Sequence, residues 1–162
     1  MQKRYWEFMV QKKFHIVYMG KHLSKCICVE RWLNISLAII STGSLAGLFI
    51  TRQLQLILGI LLAISQIITA ARPYLPYANR IKEIEADIAG LSLIYTDIEK
   101  DWYYVSNGQL TEEEINTKCY EYNKKWNNFD GQFLQNDSLP RNESIREDAT
   151  KDTNEYFGML FS

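Results

Sequence analysis

Side chains able to do chemistry are sparse in this sequence, and the most suggestive set is a stripe of amides and small residues. Gln55, Gly59, Ala63, Gln66 and Ala70 step by 4, 4, 3 and 4. On a helix of about 3.6 residues per turn that spacing puts them on one face. Ser65 and Thr69 flank the stripe, and the other faces are Leu and Ile. An amide in apolar surroundings must find a hydrogen-bond partner. Two arrangements would supply one: bonding between helices as structural glue, or a water-filled path lined by stripes from several subunits. Upstream, Gly43-x-x-x-Gly47 is a small-xxx-small pattern that lets helices approach closely, within a hairpin or between subunits.

The remaining candidates are weak. His22, Cys26 and Cys28 share part of a helical face, but H-x-x-x-C-x-C lacks a fourth ligand and follows no zinc spacing, so no metal is expected. Cys119 stands alone, and three cysteines in a reducing compartment imply no disulfide. No Gly-rich phosphate loop, Ser/His/Asp set or paired-carboxylate site emerges, so neither enzyme activity nor a cofactor is expected. Between Asn79 and Leu134 eleven acids face six Lys and Arg. They read as solvated helix positions, and the surface is too acidic to attract nucleic acid.

The elements that must carry the stripe come from the stretch Trp32–Ala71, which holds one charge, Arg52. It separates two uncharged runs, 32–51 and 53–71. At about 1.5 Å per residue each reaches roughly 30 Å, the thickness of a bilayer's hydrocarbon core. The expectation is a transmembrane hairpin, domain 31–75, turning at Arg52. A mean hydropathy of -0.22 and a net charge of -1 conceal it by averaging with polar flanks. Seven Lys and Arg precede Trp32, and Arg72, Arg80 and Lys82 follow the second run. The positive-inside rule then places both termini in the cytoplasm of a multi-pass inner-membrane protein, with Trp32 and Tyr74 at the interface. Residues 1–30 lack the apolar core of a cleaved leader, so the first span is expected to act as the insertion signal. No span holds an acid or histidine, which argues against a proton-coupled transporter.

Outside the spans the reading is helical. Residues 1–30 form a basic, aromatic amphipathic helix, lying either in the membrane interface or against the cytosolic helices. From Tyr77 to Val105 a heptad seam runs Ile81, Ile84, Ile88, Leu91, Tyr95, Ile98, Trp102, Val105. Ser106-Asn107-Gly108 is a turn. Thr111-Glu112-Glu113-Glu114 is a capping box that opens a second helix, whose seam is Ile115, Cys119, Tyr122, Trp126, Phe129, Phe133. The two seams predict an antiparallel cytosolic hairpin over 76–134, with its aromatics used for packing. Residues 135–162 read as a flexible polar tail with an apolar end. The fold class expected is an all-α membrane protein.

This layout resembles the SLATT superfamily, the bacterial two-transmembrane proteins associated with nucleotide-producing conflict systems. The resemblance rests on the basic N-terminal helix, the short membrane hairpin ending in Arg72-Pro73, and the long helix opening Ala78-Asn79-Arg80-Ile81-Lys82-Glu83-Ile84. It also rests on the middle from Leu91 to Tyr95 and the helix opened by Thr111-Glu112-Glu113-Glu114. It covers Met1 to about Leu134 and not the tail. It implies a homo-oligomeric effector of an antiphage system that forms a pore or disrupts the inner membrane once a nucleotide-signalling enzyme or sensor activates it. The residues alone equally allow a non-conducting membrane anchor whose cytosolic hairpin recruits a partner protein.

Overall fold

A computed structural model describes residues 1–46, 52–71, 77–133 and 141–160, with the side chains of 40–46, 52–58, 61, 71, 77–79 and 133 outside that description. Among the described residues all regular structure is helical: α1 (Gln2–Ala46), α2 (Arg52–Ala71), α3 (Tyr77–Ser106), α4 (Glu112–Phe133) and α5 (Glu143–Leu160). The chain divides into two units, one of residues 1–24 with 82–162 and one of residues 25–81.

In the first unit, α3 and α4 have the expected seams. Ile84, Leu91, Tyr95, Ile98 and Val105 are buried on α3, with Ile88 and Trp102 half-buried in the same cluster. Ile115, Cys119, Tyr122 and Trp126 are buried on α4. The connection turns at Gly108, whose φ of 68° is the left-handed conformation that glycine adopts without strain. The capping box closes as expected. The Glu114 N–H donates to Thr111 Oγ1 at 3.3 Å, and the Thr111 N–H donates to Glu114 Oε2 at 2.7 Å.

The N-terminal helix settles between its two expected positions by packing into this core. Tyr5, Met9, Lys12, Ile16, Met19 and Leu23 step 4, 3, 4, 3, 4. Tyr5, Met9 and Met19 are completely buried, and Lys12 nearly so. The seam is hard to see in the sequence because a lysine fills one of its core positions. Nor does the helix end at residue 30, since α1 continues to Ala46. Nothing between them breaks it: there is no proline, and Gly20 is the only glycine before Gly43.

The C-terminal segment departs from expectation. The flexible polar tail is instead α5, and it belongs to the core. Ile145, Ala149, Thr153 and Phe157 repeat every fourth residue and are buried. Asn142 caps the helix, its Oδ1 accepting from the Ile145 N–H at 3.2 Å. The Tyr18 hydroxyl in turn accepts from the Asn142 N–H at 3.2 Å, and the Phe157 ring sits 5.0 Å from Trp6.

The second unit has the opposite character. No described residue from Lys25 to Arg80 is buried, while Trp32, Ile60 and Ile67 are more than half exposed. Among the described residues no helix is long and apolar enough to cross a membrane.

Candidate functional site

Two places gather groups with chemical potential, one in each unit. The first is a polar centre inside the helical bundle. Asp87 of α3 is completely buried, and no N–H or hydroxyl donor reaches either of its carboxyl oxygens. Its nearest charged neighbour is Asp130 of α4, a second carboxyl close enough to act on it. Asp130 Oδ1 is also buried and without a conventional donor. Two carboxyls can bond to each other only if one carries a proton. Burial, and after it the charge of Asp130, pushes the Asp87 carboxyl up to about 7.

Two basic side chains of α1 face this pair. His15 Nε2 lies 3.8 Å from Asp130 Oδ1, too long for a hydrogen bond. Burial lowers the His15 imidazole below its usual range, and Lys12 adds to the lowering while Asp130 opposes it. Lys12 is also lowered by burial, with Asp130 counteracting. Its Nζ sits 4.6 Å above the Trp126 ring and 5.4 Å from the Phe8 ring, so aromatic faces replace part of its lost hydration. The His15 ring meets Trp126 edge-on at 5.7 Å.

The backbone explains why the carboxyls meet. Gly90 lies one turn after Asp87, and a Cβ there would overlap the outer edge of the Phe129 ring. The glycine lets Phe129 press onto the α3 backbone, which draws in its neighbour Asp130. The reading of every acid on this hairpin as solvated is therefore corrected. Asp87 occupies a position flanking the α3 seam, which a two-helix hairpin leaves in water. Here α1 packs over that flank. Asp101 occupies the equivalent flanking position two heptads on and is nearly buried, accepting from Lys118 at 2.7 Å and from the Tyr122 hydroxyl at 2.8 Å.

Further along the bundle, polar contacts support the aromatic core. The Tyr5 hydroxyl donates to the Ile98 carbonyl at 3.0 Å. The Tyr156 hydroxyl donates to Glu99 at 2.7 Å, and burial together with that bond pushes it up to about 12. Lys13 Nζ stands 3.5 Å above the Tyr156 ring. A groove of about 320 Å³ between α1 and α5 is lined by Trp6, Val10, Phe14 and Thr153. Another of about 570 Å³ runs between α3 and α5 past Trp102, Tyr103 and Leu160. Neither includes the acid pair, so no substrate reaches it by those routes.

The second place is α2, whose described residues sort onto three faces. Leu62, Ser65 and Ile68 are half-buried. Gly59, Ala63, Gln66 and Ala70 are exposed, and a Cβ added at Gly59 meets nothing within 4 Å. Ile60, Ile64 and Ile67 are exposed at 54%, 46% and 67%. At about 100° per residue the three sets are centred roughly 120° apart. On α1 the half-buried residues in this unit are Cys26, Ile27, Glu30, Leu33 and Leu37. On the two helices half-burial follows these lines and marks them as the packing faces. The amide stripe is not one of them.

Among the other expected site residues, Leu91, Tyr122 and Trp126 are core, and Ile88 and Trp102 border it. Trp32 is exposed on α1. Gly43 lies within α1, while Arg52 and Gln55 lie within α2, with their side chains outside the description. Gly47, Arg72 and Tyr74 lie outside the described residues. His22 is buried with its ring 4.7 Å from Tyr18, whereas Cys28 is exposed. Among the described residues no three His, Cys, Asp or Glu side chains converge as a metal site. Comparison with known proteins yields no matching family model, no curated relative and no matching solved structure.

Proposed function

We propose that the chain is a membrane effector whose 25–81 unit lies in a lipid bilayer and assembles with further copies into a pore or a membrane-disrupting oligomer. The observation that carries this reading is the sorting of α2. A row of isoleucines about half exposed on one face is an apolar strip that water disfavours, and lipid would cover it. The Gly59/Ala63/Gln66 face is exposed too, but an amide is poorly satisfied by lipid. A neighbouring copy, or water inside a ring of copies, would satisfy it. The layout that resembles SLATT proteins fits this role, with activation by a nucleotide-signalling partner through the helical bundle.

Reconstitution of the purified chain in vesicles tests the reading. A single cysteine at Ala63, with the native cysteines replaced, is expected to cross-link copies to one another. Vesicles are expected to leak an entrapped dye, and Gln66→Leu is expected to reduce the leakage. An absence of both cross-linking and leakage would sink the proposal. The anchor reading draws on the self-contained core of the first unit. It predicts instead that an unrelated two-span hairpin substitutes for 31–75 without loss of cellular activity.

A further inference from the structure

We propose that Asp87 and Asp130 form a proton-binding site inside the bundle, in which one proton held between the two carboxyls clamps α3 to α4 and its release loosens the packing there. The inference does not depend on the membrane function. It rests first on geometry. Asp87 is completely buried, and three of the four carboxyl oxygens of the pair are buried without any N–H or hydroxyl donor. Two ionised carboxylates in that position would repel each other, and Asp87, unlike the half-buried Asp130, would lack hydration. A single proton turns the repulsion into a charge-assisted hydrogen bond.

The groups around the pair can be taken element by element. From α1, Lys12 and His15 face it, and Lys12 balances the one negative charge that a singly protonated pair retains. From α4, Trp126 packs edge-on against His15, and Phe129 closes against the α3 backbone at Gly90. The charged contacts of α5 are directed elsewhere, Asp152 to Lys21 and Tyr156 to Glu99. His15 cannot supply the missing donor at 3.8 Å.

The raised Asp87 carboxyl agrees with this arrangement and sets the sign of the response. An acid raised in the folded state contributes stability that is fully present below its unfolded value of about 4 and is lost as pH rises through about 7. His15 acts the other way. Its lowered imidazole removes stability as pH falls below about 6.5 and has no effect above that. From about pH 6.5 upward His15 no longer contributes, and the acid pair sets the fall in stability near neutral pH.

The test uses the full chain in detergent micelles, with aspartate side chains labelled for carboxyl NMR. One Asp87 resonance is expected to titrate near neutral pH and to vanish in Asp87→Asn. With a folded value near 7, the opening equilibrium is expected to rise about tenfold between pH 6 and pH 8. Amide protection of α3 and α4 near Asp87 and Asp130 falls by the same factor. Asp87→Asn, whose amide can still donate to Asp130, is expected to abolish that fall. A wild-type Asp87 titrating near 4, or a variant that keeps the tenfold response, overturns the proposal. So does a pair that is ionised at neutral pH and is stabilised by added cations. If the variant does not fold, the wild-type titration decides by itself.

Discussion

Gly90→Ala should destabilise the bundle, although alanine is the better helix former. Gly90 lies inside α3, where replacing an exposed glycine by alanine ordinarily adds about 1 kcal/mol. Here the new methyl would overlap the Cζ, Cε1 and Cε2 atoms of Phe129. Those atoms are the outer edge of a half-buried ring packed against the core, so the methyl fits only if the ring turns or shifts. The ring is hemmed in because Phe129 sits against the buried cluster, and α4 cannot retreat without separating Asp130 from Asp87. Overpacking of a filled core costs about 1–3 kcal/mol, and a methyl that overlaps a packed ring belongs at the upper end. Subtracting the helix gain leaves a net loss of about 2 kcal/mol. For a unit of this size that lowers the thermal midpoint by roughly 8 °C.

The assay is a melt of the full chain in micelles, followed by the fluorescence of its buried tryptophan. Phe129→Leu supplies the control, since it removes the ring edge that blocks the site. In that background Gly90→Ala should turn stabilising by about 1 kcal/mol, and the change of sign measures the contact directly. If Gly90→Ala alone raises the midpoint, α3 and α4 are not in close approach there, and the account of how the acid pair forms fails with it.

Three other perturbations have definite expected outcomes. Thr111→Ala removes the side-chain cap of α4 and should cost about 1 kcal/mol, read as faster amide exchange in the first turn of that helix. The same cap predicts a pH effect: the Thr111 N–H and hydroxyl hold the Glu114 carboxyl below its usual range, so its contribution is present above that range and is lost on acidification. Phe157→Ala should cost about 3 kcal/mol by emptying the space beside Trp6, and amide exchange across 143–160 should rise to near that of an unfolded segment. Deletion of α5 should leave the α3/α4 seams folded but expose Trp6, detectable as a red-shifted fluorescence spectrum.

The α3/α4 hairpin is legible in the sequence because its apolar residues repeat at heptad spacing and its ends carry turn and capping residues. Local chemistry alone specifies those features. What sits on the hairpin is less legible, because helix contacts distant in sequence decide it. Asp87 and Asp101 read as solvated when only two helices are counted. Asp87 becomes buried on the flank that α1 packs over, and Asp101 is drawn in by Lys118 and Tyr122 of α4. Lys12 breaks the apolar pattern of α1 in the sequence, yet it lies over two aromatic rings beside a negative centre. The residues of α5 carry the signal that composition hides: Ile145, Ala149, Thr153 and Phe157 at intervals of four, behind an Asn cap that follows Pro140. A polar average outweighs that repeat unless spacing is read separately from content. The amide stripe of α2 is visible in the sequence as a face, but which neighbour it meets is not. A helix wheel sorts residues among faces without assigning an environment to any of them.

That unassigned face is where the physics of the 25–81 unit is most demanding. α2 has three kinds of surface about 120° apart, and a single chain provides for one of them, the half-buried line Leu62, Ser65 and Ile68. A bilayer would provide for a second, Ile60, Ile64 and Ile67. The third carries Gln66 on a groove of small residues, where a partner backbone can come close. Under the anchor reading this amide faces hydrocarbon with nothing to bond, a penalty of several kcal/mol on transfer scales that allow no partner. Under the oligomer reading it recovers about 0.6–2 kcal/mol per interhelical bond, and the flat surface at Gly59 lets the helices approach. The two readings make opposite demands on this amide, and one substitution probes them. Gln66→Leu should stabilise a lone anchor in lipid and destabilise an oligomer. The sign of its effect on subunit cross-linking therefore separates the two readings without any knowledge of the activating signal.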